Sequence, residues 1–120
     1  MIPLGDKTTT MNDVYQSTST VMLQQPKFTD WQSLLELLRE ASEQDRLAMV
    51  LTMMMTPDER EALVSRINIF YELLKGDLSQ RQISQMLGVG VATITRGSNE
   101  LKACSEDNKA ALTELLLGKN

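Results

Sequence analysis

Histidine is absent from all 120 residues, which removes the commonest metal ligand and the commonest general base at neutral pH. A single cysteine, Cys104, leaves no partner for an intrachain disulfide and points to a reducing compartment. Aromatic residues make up only 4% of the chain. No run of eighteen apolar residues occurs, so no membrane span is expected. The N-terminus lacks a basic stretch followed by an apolar core, so a cytoplasmic protein without a secretory signal is expected. Strand-like alternation is nowhere sustained. An enzyme is the weakest reading: there is no histidine, no nucleophile elbow and one thiol. Cys104 beside Ser105 reads as an incidental buried or half-exposed thiol. The stretch "GVGVAT" follows no predicted strand and lacks a later lysine, so it is not a phosphate loop. No metal site is expected.

What remains is an ordinary small globular composition, 42% hydrophobic and 23% charged. The net charge of −4 argues against a protein that coats nucleic acid. The charge is uneven, however. Between Ser79 and Lys102 stand Arg81, Arg96, Lys102 and Glu100, a balance of +2, so the remainder carries −6. A weakly positive segment on an acidic body suits a protein that meets phosphates with one face.

Residues 1–27, rich in Ser, Thr, Gln and Asn, read as a flexible tail. Residues 28–120 read as one helical domain, all-α, with about six short helices. Thr29 and Gln32 predict a capping box for the first helix, with Trp31, Leu34, Leu35, Leu38 and Ala41 at helical spacing. "RLAMVLTMMM" is a second helix whose methionines read as adaptable core filler rather than a binding surface. In "TPDE", Thr56 caps a third helix, Pro57 takes its first position and Glu59 completes a capping box. Leu63, Ile67, Phe70 and Leu74 form its stripe, and Gly76 is its stop. Ala62, Val64, Ile69, Tyr71 and Leu73 lie outside that stripe. A helix apolar around most of its circumference needs burial on several sides, and a second subunit would supply it. Ser79 with Gln82 opens a fourth helix, Val91 to about Ala103 form a fifth, and a sixth runs from Ser105 with Leu112, Leu115 and Leu116 inward.

Residues 80–99, "QRQISQMLGVGVATITRGSN", have the spacing of a helix-turn-helix. Ile83 and Leu87 face inward, Ser84 is small enough for close passage, Gly88 permits the turn and Ile94 packs the second helix back. Gly90 precedes a run of short residues, Val91, Ala92, Thr93 and Thr95, which would let the backbone approach base edges in a major groove. Gln80 and Arg81 are placed to meet phosphates or a base. With Asn99 these residues complete the set expected to face double-stranded DNA. The competing reading makes Arg81 and Arg96 solvated charges and the threonines merely tolerated. Gly97 stands in mid-helix, where glycine costs about 1 kcal/mol relative to alanine, so something must come close to the backbone there.

"TPDEREAL", "SQR" and "ATITRGSN" followed by "LKA" resemble the bacterial tryptophan repressor family over roughly Trp31 to Ala103. The resemblance implies an intertwined homodimer that binds a near-palindromic operator when L-tryptophan, the co-repressor, lies between the third helix and the reading helix. It places the ligand against Arg66, Arg96, Gly97, Thr56 and the backbone around Met53 to Met55. The chemistry is sensible: Arg66 can hold the carboxylate by a bidentate pair, Arg96 can lie over the indole face, and the carbonyls ending the second helix suit the ammonium group. Taken alone, Arg66 would read as half of a surface salt bridge. Three positions depart from the family pattern. Glu100 stands where a serine near the ligand's amino group is usual; it can pair with the ammonium or repel the ligand carboxylate and nearby phosphates. Phe70 replaces a smaller aliphatic beside the pocket. Ser84 matches a position often basic, which removes a DNA contact. The alternatives are a helix-turn-helix DNA-binding protein, or a dimeric interaction module, without a tryptophan co-repressor.

Overall fold

The computed structural model describes residues 24–118; of the expected tail, residues 1–23 lie outside the described residues. Six helices follow one another: α1 (Trp31–Glu43), α2 (Leu47–Met54), α3 (Pro57–Lys75), α4 (Gln80–Leu87), α5 (Val91–Ala103) and α6 (Glu106–Leu117). No strand occurs among the described residues, and none of their helices is long and apolar enough to cross a membrane. The chain divides into two compact units, up to Val50 and from Leu51 onward, with the boundary inside α2.

In the first unit, α1 starts one residue later than expected. Asp30, not Thr29, is the N-cap: its carboxylate accepts the Ser33 N–H at 2.8 Å, and the Asp30 N–H donates to Ser33 Oγ at 3.3 Å. Aspartate is the stronger cap, and the serine three residues on reciprocates, which Gln32 would have had to do for Thr29. Ala41 is buried and Leu34 and Leu38 half-buried, whereas Trp31 and Leu35 are exposed.

The second unit holds the site. Within the single chain Met53, 78% exposed, and Met54 are not filler, whereas Met55 is half-buried. Thr56 and Glu59 close the expected box at the start of α3, at 3.1 and 2.8 Å, and Gly76 ends the helix at φ 78°. The face that α3 buries is not the expected stripe. Ile69, 3% exposed, packs with Ile83 and Ile94, both fully buried, and Leu73, Leu78, Leu87 and Val89 close around them. Leu63 and Ile67 are exposed, Phe70 and Leu74 only half-buried. Ile69 and Leu73, four apart, share a helical face. The expected stripe shares another, and a helix apolar nearly all round does not reveal from its spacing which face the chain will use.

Helix α3 packs against α4, α5 and α6, and α4 packs against α5. Ser79 and Gln82 cap α4 reciprocally, and Gly88 turns the chain at φ 69°. Ser84 does more than leave room: its hydroxyl donates to the Val89 carbonyl and clamps the turn. The Cys104 thiol is half-buried and donates to the Leu101 carbonyl at 3.1 Å. Ser105 caps α6. Of its three expected inward leucines, Leu112 and Leu116 are half-buried, while Leu115 is 82% exposed.

Candidate nucleic-acid interface and adjoining cleft

Helix α5 opens on Gly90, and no side chain caps its first turn. Val91 and Ala92 are exposed there, so the positive end of the helix dipole and its first N–H groups stand uncovered by protein side chains. Arg81, Thr95 and Asn99 are exposed as well. Two members of the expected DNA-facing set meet each other instead of standing free: the Thr95 hydroxyl donates to Gln80 Oε1 at 2.9 Å, tying the start of α4 to α5. Thr93 is half-buried and turned to a different surface.

That surface is a cleft of about 190 Å³ between α3 and α5, lined by Arg66, Ile69, Thr93, Arg96, Gly97 and Glu100. Four residues expected at a ligand thus converge: Arg66, Arg96, Gly97 and Glu100. Arg66 makes no salt bridge with any described residue, so it is not half of a surface pair. Gly97 has a reason the sequence did not show. A β-carbon there would lie 3.0 Å from Ile69 Cγ2, 3.7 Å from Phe70 Cε1 and 3.9 Å from Leu73 Cδ1. The missing side chain lets α5 approach α3. Phe70 packs behind that crossing and, with Leu63, Val64, Arg66 and Ile67, lines a neighbouring apolar groove of about 410 Å³ rather than the cleft itself.

Thr56, Met53 and Met55 do not join the cleft of their own chain. Thr56 precedes Arg66 by ten residues on the same helix, a rise of about 15 Å at 1.5 Å per residue. The α2–α3 junction is held by a residue to which the sequence pattern assigns no role. Arg60 Nη1 donates to the carbonyls of Thr52 at 3.1 Å and Met55 at 2.8 Å, capping the end of α2 with a cation. Its one sequence signal was a basic residue one turn into a helix that follows another by a tight turn.

The family profile described as "Trp repressor protein" matches residues 29–116. A "Trp operon repressor homolog" of Vibrio cholerae serotype O1 is 68% identical over 96 residues, covering 80% of this chain and 93% of that protein. The Vibrio vulnificus protein of the same name is 67% identical over 97 residues, covering 81% and 95%. That of Aliivibrio salmonicida is 63% identical over 90 residues, covering 75% and 83%. The chain belongs to the Trp repressor family. It is therefore a DNA-binding transcriptional regulator rather than an enzyme. The family's helix-turn-helix is α4 with α5, since these helices carry the inward Ile83 and Ile94 and the left-handed Gly88 between them. The cleft is lined from α3 by Arg66 and Ile69, and from α5 by Thr93, Arg96, Gly97 and Glu100.

Proposed function

We propose that the protein is an L-tryptophan-dependent repressor of the trp operon, acting as an intertwined homodimer on a near-palindromic operator. One observation carries the reading: the cleft is bounded on one side by α3 and on the other by the reading helix. A ligand wedged there sets the angle of α5. Arg66 holds the ligand carboxylate through paired N–H groups, Arg96 lies over the indole face, and Ile69 is the apolar floor.

The second copy has a part in this site. Thr56 stands about 15 Å of helix away from Arg66, and neither it nor Met53 or Met55 lines the cleft of its own chain, so one tryptophan meets both sets if two chains supply them. The exposed apolar surface of α3, with Leu63, Ile67 and a 60% exposed Val64, favours such a partner. In the dimer, two copies of α5 reach successive major grooves about 34–36 Å apart, the spacing of helix-turn-helix dimers, among which the Trp repressor is itself a reference case. Val91, Ala92 and Thr95 approach bases while Arg81, Gln80 and Asn99 position the backbone, with Gly90 allowing close approach.

Tryptophan promotes repression to the extent that it binds the DNA-competent arrangement better, and operator DNA tightens tryptophan binding by the same factor. Calorimetric titration of the full chain with L-tryptophan, with L-phenylalanine as control, tests this reading. One tryptophan bound per chain, and an operator affinity that rises with tryptophan, are the expected results. Operator binding indifferent to tryptophan would leave a helix-turn-helix protein without this co-repressor. No DNA binding at all would leave an interaction module.

A further inference from the structure

A threonine hydroxyl inside a helix ordinarily donates back to a carbonyl three or four residues earlier, as Thr113 does to Lys109 at 2.8 Å. Thr95 does otherwise. Its hydroxyl crosses from α5 to α4 and donates to Gln80 Oε1 at 2.9 Å. Thr95 is exposed and Gln80 half-buried, so the bond lies at the surface, where the two helices of the helix-turn-helix meet.

This bond sorts the two ends of the Gln80 amide. A primary amide has one acceptor end and one donor end, and the acceptor end is turned to Thr95. The amide nitrogen keeps its two N–H donors and has no partner among the described residues. Further donors stand around it. Gln80 and Arg81 are the first two residues of α4, whose backbone N–H groups have no carbonyl of a preceding turn to accept them. The Arg81 side chain is exposed. A set made of donors alone, one of them cationic, complements a phosphate group.

We propose that Thr95 is a positioning residue for DNA binding: it holds the Gln80 amide with its nitrogen outward, to donate to a backbone phosphate. The proposal rests on the DNA-facing set given above and narrows the part of Thr95 in it. The methyl group of Thr95 still meets the bases, while its hydroxyl serves Gln80. A free glutamine side chain must be ordered when DNA arrives; Thr95 has ordered this one beforehand. The contact carries no sequence information of its own.

The test is a double-mutant cycle on the full chain, read by gel-shift titration at one salt concentration with saturating L-tryptophan. Two probes are used: a duplex that the wild-type protein has selected from a random pool, and an unselected duplex of equal length. Thr95→Val keeps the branched shape without the hydroxyl and should weaken binding to both by about two- to tenfold, the cost of ordering one flexible side chain. Gln80→Ala should weaken both by about tenfold, the scale of one hydrogen bond to a charged group. Adding Thr95→Val to Gln80→Ala should cost nothing more. Thr95→Ser, which keeps the hydroxyl, should bind the unselected duplex as wild type does. Gln80→Glu still accepts from Thr95 but offers no amide N–H and sets a charge against phosphate, so it should bind more weakly than Gln80→Ala. Losses that add in the double variant, losses confined to the selected duplex, a Thr95→Ser no better than Thr95→Val, or a Gln80→Glu as tight as wild type would each overturn the positioning role. A random pool that yields no preferred duplex would overturn the operator reading instead, and the cycle on the unselected duplex would still decide this one.

Discussion

Ile69 Cγ2 lies 3.0 Å from the point where a β-carbon on Gly97 would stand, so α5 is seated on α3 at a separation that leaves little room for a side chain at that position. Ile69 is nearly fully buried and branched at its β-carbon, and it has little room to yield. Gly97→Ala should therefore destabilise the protein by about 1–3 kcal/mol through overpacking, less the ~1 kcal/mol that alanine returns as helix propensity. Urea unfolding at fixed protein concentration measures the balance. A variant more stable than wild type would mean that α5 can shift away from α3 without cost.

Arg60 caps the end of α2 through two carbonyls. Arg60→Ala should cost about 1.5 kcal/mol, the low end for hydrogen bonds to a charged group, because the side chain is only half-buried. Arg60→Lys should recover only part of this, since an ammonium lacks the planar fork of the guanidinium. The two urea midpoints, compared with wild type, decide the matter. Equal midpoints for all three proteins would remove the cap from the account.

Gly90 has φ −69°, and nothing lies within 4 Å of the point where a β-carbon on it would stand. Folding does not require glycine here. Gly90→Ala should change stability by less than about 0.5 kcal/mol, because a poorer N-cap and a less flexible unfolded chain oppose each other. Operator affinity should nonetheless fall, as the added methyl group holds the backbone away from the DNA. Gel-shift titration at one salt concentration reads this out. Unchanged affinity would place the DNA elsewhere on α5.

Arg66 is exposed and without a described partner, so Arg66→Ala should leave stability within about 0.5 kcal/mol. Tryptophan affinity should drop by about 1.5–3 kcal/mol, tenfold or more, with the loss of a charge-assisted contact. A normal tryptophan response in this variant would sink the cleft as the ligand site. Thr93→Ala is a less selective probe than its place in the reading helix suggests. Thr93 lines the cleft, so its truncation should alter ligand and operator binding together.

Helix limits were legible because caps are local chemistry. Thr56 with Glu59, Ser79 with Gln82, and the left-handed Gly76 and Gly88 each need only a few neighbouring residues to be read. The exception at α1 proves the same rule, since Asp30 and Ser33 offered a second box one residue along and the stronger cap prevailed. The spacing of Ile83, Gly88 and Ile94 likewise foretold the helix-turn-helix, whose two isoleucines are fully buried.

Periodicity alone did not say which face of α3 the single chain buries, for a physical reason. Apolar residues surround most of that helix, so several faces were equally suited to burial, and only the docking of α4 and α5 selected Ile69 and Leu73.

By itself, then, the sequence determined the six helices, the capping boxes that open α1, α3 and α4, the turn at Gly88 and the residue types that line the cleft. Tertiary structure alone decided which face of α3 is inside, that Gly97 answers to Ile69, and that Thr93 turns toward the cleft while Thr95 binds Gln80. Caps and turns are settled between residues a few positions apart. These other relationships join residues far apart in the chain, 15 positions for Gln80 and Thr95 and 28 for Ile69 and Gly97, and they exist only once helices have chosen which sides to press together.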